Sequence, residues 1–156
     1  MSDQVIWVHA DCLDPRGPAF IAAPDAPAIF VFDDVVLDGY GVGLKRIAFI
    51  YECLLELPVT IRRGDVAAEV LAFAREHGAR RILTTATPAP RFGTIADEIE
   101  RELPVEALGV APFVPDRRYD LKRFSRYWRD AEAAAMRRTD AAPTPTTPRL
   151  PGFDAG

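Results

Sequence analysis

Short runs of apolar and β-branched residues alternate along this chain with longer stretches in which apolar positions recur every three or four residues. Residues 5–9, 28–32, 59–62, 81–85 and 105–110 are runs of the first kind, of strand length and bounded by turn-forming residues. Residues 43–57 are of the second kind. Leu44, Ile47, Ile50, Tyr51, Leu54 and Leu55 make that segment apolar enough to predict a well-buried helix, and Pro58 follows its end. Asp65 stands as an N-cap before a stripe of Val66, Val70, Phe73 and Ala74, and Gly78 falls where a left-handed residue closes a helix. Residues 94–103, with Ile95, Ile99 and Leu103 on one side, predict a shorter helix, and residues 121–137 a last one.

Strands joined by helical crossovers predict an α/β fold: a five-stranded parallel, doubly wound (Rossmann-like) sheet with helices on both faces, in a single domain. That domain spans residues 1–137, and Pro143, Pro145, Pro148 and Pro151, interleaved with Thr, mark residues 138–156 as a tail expected to be disordered. Folds of this kind bind ligands beyond the carboxyl ends of their strands. The loops that matter are therefore 9–15, 33–43, 64–65, 85–92 and 111–116.

Composition narrows the chemistry. With 156 residues, 49% of them hydrophobic and 27% charged, the chain is long enough for one real core. A formal charge of −4 makes no general case for DNA, so any contact with DNA is expected to be indirect. No apolar run approaches the length of a membrane span and no leader pattern opens the chain, so the expected location is cytoplasmic, with no membrane partner. Cys12 and Cys53 lack metal or thiol-exchange spacing and read as reduced thiols. With only Ser2 and Ser125 as serines and only His9 and His77 as histidines, a hydrolase triad or a three-histidine metal site has little to draw on. No catalytic or metal-binding residue is assigned.

Several motifs carry two readings. Asp38–Gly43 places glycines before a helix, where backbone N–H groups could meet a phosphate, but Leu44 occupies the third glycine position of Gly-x-Gly-x-x-Gly, so a mobile loop is the first reading. Asp33 and Asp34, at a strand end, suit a ligand hydroxyl or a water-bridged magnesium ion, or simply capping and exposure. His9 and Asp11 share a strand face, as an imidazole oriented by a carboxylate would, and His9 also reads as a packed histidine. His77, before Gly78, suits the negative end of a helix dipole. Residues 117–129 interleave six basic residues with Tyr119, Phe124, Tyr127 and Trp128. Their helical spacing favours an amphipathic docking helix over a nucleic-acid grip.

Four segments resemble the N-terminal α/β domain of DNA photolyases and cryptochromes. Trp7, Asp11, Pro18 and Ala19 match the family's Trp-Phe-Arg-x-Asp-Leu-Arg-x-x-Asp-Asn-Pro-Ala-Leu opening without a gap. The helix from Arg46 to Leu57 is similar to an Arg-x-x-(Phe/Tyr)-Leu-x-x-x-Leu-x-x-Leu pattern, Gly64 and Asp65 stand at the family's Gly-(Asp/Glu) turn, and Arg123 to Trp128 resembles the segment leading out of the domain. Together these cover about residues 4–130. The resemblance implies five parallel strands whose carboxyl ends hold an auxiliary chromophore: FMN, a deazaflavin or a folate. It implies that Arg46 helps to line that pocket, and with the strand-end loops it makes His9, Asp11, Asp33, Arg46, Thr85 and Thr87 the candidate ligand-binding residues. Thr87 and Ala89 replace acidic residues that bind the chromophore in relatives, and His9 and Ala10 replace basic or polar ones. The resemblance places catalytic FAD in a separate helical domain of the family, which these 156 residues do not match, so no catalytic FAD and no enzyme activity are expected on this chain alone. The implied partners are a small aromatic ligand and either a second copy of the chain or a separate FAD-bearing chain. Three functions follow: a stand-alone ligand-binding domain, a subunit of a split light-dependent DNA-repair enzyme, or an interaction domain whose pocket is lost.

Overall fold

A computed structural model describes residues 3–115 and 117–136. Five parallel strands, β1 (Gln4–Val8), β2 (Ala28–Asp33), β3 (Val59–Gly64), β4 (Arg81–Thr85) and β5 (Val105–Leu108), form one sheet in the order β3-β2-β1-β4-β5. The chain starts in the middle of the sheet, winds outward through β2 and β3, then crosses back to β4 and β5. The winding direction thus reverses between β1 and β4, and the strand-end crevice of a doubly wound sheet opens at such a point. Trp7 lies level with Ile29 on one side and Thr84 on the other, and the Thr84 hydroxyl donates to the Trp7 carbonyl at 2.8 Å in the buried centre.

Alternation along the central strands feeds two cores. Val5, Trp7, Ile29, Val31 and Ile82 face α4 (Val66–Glu76) and α5 (Pro90–Glu100), whose Val70, Phe73, Ala74, Ile95 and Ile99 complete one cluster. Ile6, Val8, Ala28, Phe30 and Leu83 point the other way, onto Ala19 and Phe20 of α1 (Pro18–Ala22) and Leu54 of α3 (Leu44–Leu54). The expected α/β architecture with helices on both faces is therefore the one observed.

Local signals hold at the α4 boundaries. The Asp65 carboxylate accepts the Ala68 N–H at 2.9 Å, and Gly78 takes φ +65°, the left-handed closure that a side chain would strain. Two helices had no sequence expectation: α1, which begins on Pro18, and α2 (Asp34–Gly39), which occupies a segment read as loop. Residues 90–92, also read as loop, belong to the first turn of α5. The last helix, α6 (Phe124–Ala135), starts three residues later than expected, and the Pro/Thr-rich tail lies outside the described residues.

The largest correction concerns α3. A helix apolar over most of its circumference is ordinarily buried on several sides, yet of its eleven residues only Leu54 is buried. It covers the outer end of one sheet face with Ile50 and Leu54, and seven of its eleven residues are exposed.

Candidate functional site

A cavity of about 640 Å³ opens at the carboxyl ends of β1 and β2 and reaches under the start of α5. Its walls are mainly apolar: Trp7, Phe30, Val31, Ile47, Ile50, Val66, Phe92 and Ile95. Its volume lies within the range of about 300 to 1,000 Å³ usual for small-molecule sites. Polar groups enter from the loops after β1 (His9, Asp11), β2 (Asp33) and β4 (Thr87, Arg91), and from the first turn of α3 (Arg46).

Five of the six candidate residues, His9, Asp11, Asp33, Arg46 and Thr87, line this cavity. Thr85 does not. Its side chain is buried on the opposite side, near the tight approach at Gly17 and Cys12, and its contribution is the carbonyl, which accepts the His9 Nε2–H at 2.7 Å. Asp11 and Thr87 join the two loops on either side of the reversal, the Thr87 hydroxyl donating to the Asp11 carboxylate at 3.0 Å.

Of the readings its position suggested, Asp33 takes the capping one. One of its oxygens, Oδ1, accepts the Val35 N–H at 2.9 Å, capping α2. The same carboxylate takes a two-pronged hydrogen bond from the Arg91 guanidinium, Nη2 to Oδ1 at 2.8 Å and Nε to Oδ2. Asp33 thus ties the end of β2 to the start of α5 and gives the cavity a neutralised rim. Among the described residues, no group of three or more His, Cys, Asp or Glu side chains is arranged to hold a metal ion. Asp34 is engaged too, pairing with Arg63 of β3 at 2.5 Å.

Arg46 differs from Arg91 in carrying its charge to the cavity without an ion pair among the described residues. Gly43 caps α3 without a side-chain hydrogen bond, and the Arg46 N–H already donates to the Gly43 carbonyl at 2.9 Å, so the Leu44 and Lys45 amides at the start of the helix are the ones with capacity for an anion. Sequence reasoning found Arg46 and missed Arg91. Its partner lies 58 residues away, and no local pattern pairs the two.

His9 is packed between rings. It meets Trp7 and Phe92 edge-on, at 5.9 and 5.3 Å, while those two stack on each other at 5.2 Å with an interplanar angle of 10°. A carbonyl can only accept, so the Thr85 contact fixes the proton on Nε2 in the neutral ring and leaves Nδ1 as an acceptor. Nδ1 is buried and meets no donor. Burial pulls the His9 pKa below its ordinary value, against the opposing influence of the Thr85 carbonyl and the Asp11 charge.

A depressed histidine pKa means that the unfolded chain binds the proton more tightly. Stability from His9 is therefore complete above the ordinary histidine value near 6.5 and falls as the pH drops from there toward the folded value. We expect the NMR titration of the His9 ring to show a midpoint below 6.5. His9→Gln should flatten the decline in stability between about pH 7 and 5. A His9 midpoint at or above the ordinary value would contradict the buried, neutral assignment.

Comparison with known protein families and with curated proteins returns no match for this chain. The functional reading therefore rests on the geometry of the cavity and on the residues that line it. His77, by contrast, serves the fold, its Nδ1–H donating to the Phe73 carbonyl at 2.9 Å in the last turn of α4. In the basic-aromatic stretch, Phe124 stacks on Trp128 at 5.8 Å, Arg126 pairs with Asp120 at 3.0 Å, and Arg117 donates to the Asp130 carbonyl. No helix among the described residues is long and apolar enough to cross a membrane.

Proposed function

We propose that this chain is a non-catalytic ligand-binding domain related to the antenna-chromophore domain of photolyases, and that a planar aromatic anion occupies the strand-end cavity. Flavin nucleotide, deazaflavin and folate are the ligand classes it would take. The observation that carries the reading is the union of a largely apolar cavity of about 640 Å³ with one cationic side chain, Arg46, that has no carboxylate partner among the described residues. Apolar walls reward burial of a ring system in proportion to its area. Arg46 and the first turn of α3 would meet the ligand's negative group. Asp33 and Arg91, which satisfy each other, would act as positioning residues for the rim, and Thr87 with Asp11 would fix the gap between the two loops.

The residues present suit such a ligand in size, polarity and charge. When bound, a flavin, deazaflavin or folate would supply absorption in the near-ultraviolet or blue. The chain's own contribution is to enclose the ring, fix its orientation through Arg46 and keep water from its faces. Purified full-length protein titrated with FMN, a deazaflavin and a folate is expected to bind at least one saturably. Arg46→Ala should then weaken that ligand by about 1 to 3 kcal/mol, roughly 5- to 150-fold in Kd. Affinity unchanged by Arg46→Ala would remove the charge from the account, and absence of binding by all three classes would end the proposal.

A further inference from the structure

α3 carries a second apolar face that the fold leaves uncovered. Ile47, Ile50 and Leu54 turn inward, while Leu44, Ala48, Tyr51 and Leu55, the last of them its C-cap, follow one another at spacings of four, three and four, which puts them in one line along the helix. All four are exposed, Leu44 to 79% and Leu55 to 66% of their surfaces. Four apolar residues at these spacings form a seam of the kind two helices share, and an exposed apolar line of this length marks an interaction surface.

We propose that this seam pairs with the same seam of a second copy of the chain, the two α3 helices running antiparallel about a two-fold axis that passes between Ala48 and Tyr51. Two features single out a second copy as the occupant. The first is steric, because that axis sets Leu44 opposite the partner's Leu55 and the small Ala48 opposite the partner's Tyr51, so that large and small side chains interdigitate. The second is charge. Lys45 and Glu52 both stand immediately after a seam residue, on the same flank and seven positions apart, and neither has an ion pair among the described residues. A two-fold axis maps a flank onto itself, so Lys45 of each copy comes within about one helical turn of Glu52 of the other, twice per dimer. Arg46 lies around the helix from the seam, so pairing leaves the cavity accessible, and this inference stands apart from the ligand reading.

Sedimentation velocity or light scattering of the full-length protein over a wide concentration range tests it. The expected result is a monomer–dimer equilibrium. Leu55→Glu should abolish the dimer while leaving the far-ultraviolet circular dichroism unchanged. Lys45→Glu, which turns two attractive pairs into two repulsive ones, should weaken it by about tenfold or more, and the exchanged double variant Lys45→Glu/Glu52→Lys should restore it. The charge exchange still decides the question if Leu55→Glu does not fold. A monomer at every concentration would overturn the proposal, as would a dimer indifferent to Lys45→Glu or a double variant no better than the single one.

Discussion

Truncating Trp7 to Ala is expected to destabilise the domain by about 3 to 5 kcal/mol, the range for removing a large aromatic side chain from a packed core. Trp7 is 3% exposed and sits on the central strand. Its ring stacks on Phe92 and supports His9 from the side, so the same change empties the floor of the cavity. A domain of this size has a total stability on the order of 5 to 15 kcal/mol, so the variant should be partly unfolded at physiological temperature or melt well below the parent. Trp7→Phe keeps the stacked pair and should cost no more than about half as much. Urea unfolding of the three proteins measures the differences, and a cost under about 1 kcal/mol for Trp7→Ala would mean that the Trp7–Phe92 stack does not hold the cavity floor.

Asp33→Ala should be the most damaging change on the rim, at about 2 to 4 kcal/mol, although α2 itself is short and half exposed. It removes the α2 cap, worth about 1 kcal/mol, and strands the Arg91 guanidinium without its carboxylate. Arg91 is about one third exposed (36%), so water recovers part of that loss and the upper end of the range for buried pairs does not apply. The Asp33→Ala/Arg91→Ala double variant should be less destabilised than the sum of the two single changes, with a coupling of about 1 kcal/mol or more. Additive single changes would show that the cross-tie between β2 and α5 contributes nothing beyond its separate ends.

These two changes separate what the sequence disclosed from what it did not. Trp7 announced itself, because it lies in a run of apolar residues whose length and alternation identify a central strand, and the same periodicity located all five strands and the inward faces of α4 and α5. Asp65 and Gly78 were legible because capping is a local matter of one side chain or one backbone angle. Asp33 was read as a strand-end carboxylate and its position in the cavity wall was anticipated, but its engagement by Arg91 depends on two loops meeting across the sheet. Thr85 was placed at the right strand end, and its side chain faces away from the cavity, since a one-residue step along a strand turns a side chain from one face to the other. α3 misled for a different reason. Apolar periodicity reports that a face wants to be covered, and says nothing of whether this chain or another copy covers it.

The cavity also explains why His9, rather than a more hydrophilic residue, can follow the first strand. Its ring gives two aromatic neighbours an edge to pack against, its Nε2–H satisfies the carbonyl at the end of β4, and only Nδ1 remains unpaired. One buried acceptor without a donor is a modest local cost, about 1 to 3 kcal/mol, set against the packing of three rings.

The central claim is that the crevice between the ends of β1, β2 and β4 takes a small aromatic anion. An amide-resolved NMR titration of the full-length protein with FMN, a deazaflavin and a folate in turn tests it at the level of single residues. The account predicts saturable shifts for at least one of them, concentrated at Asp11, Gly41, Gly43, Arg46 and Thr87, with the far edge of the sheet around β5 unaffected. Spectra that do not move with any of the three, or that move only at residues remote from these loops, would contradict it.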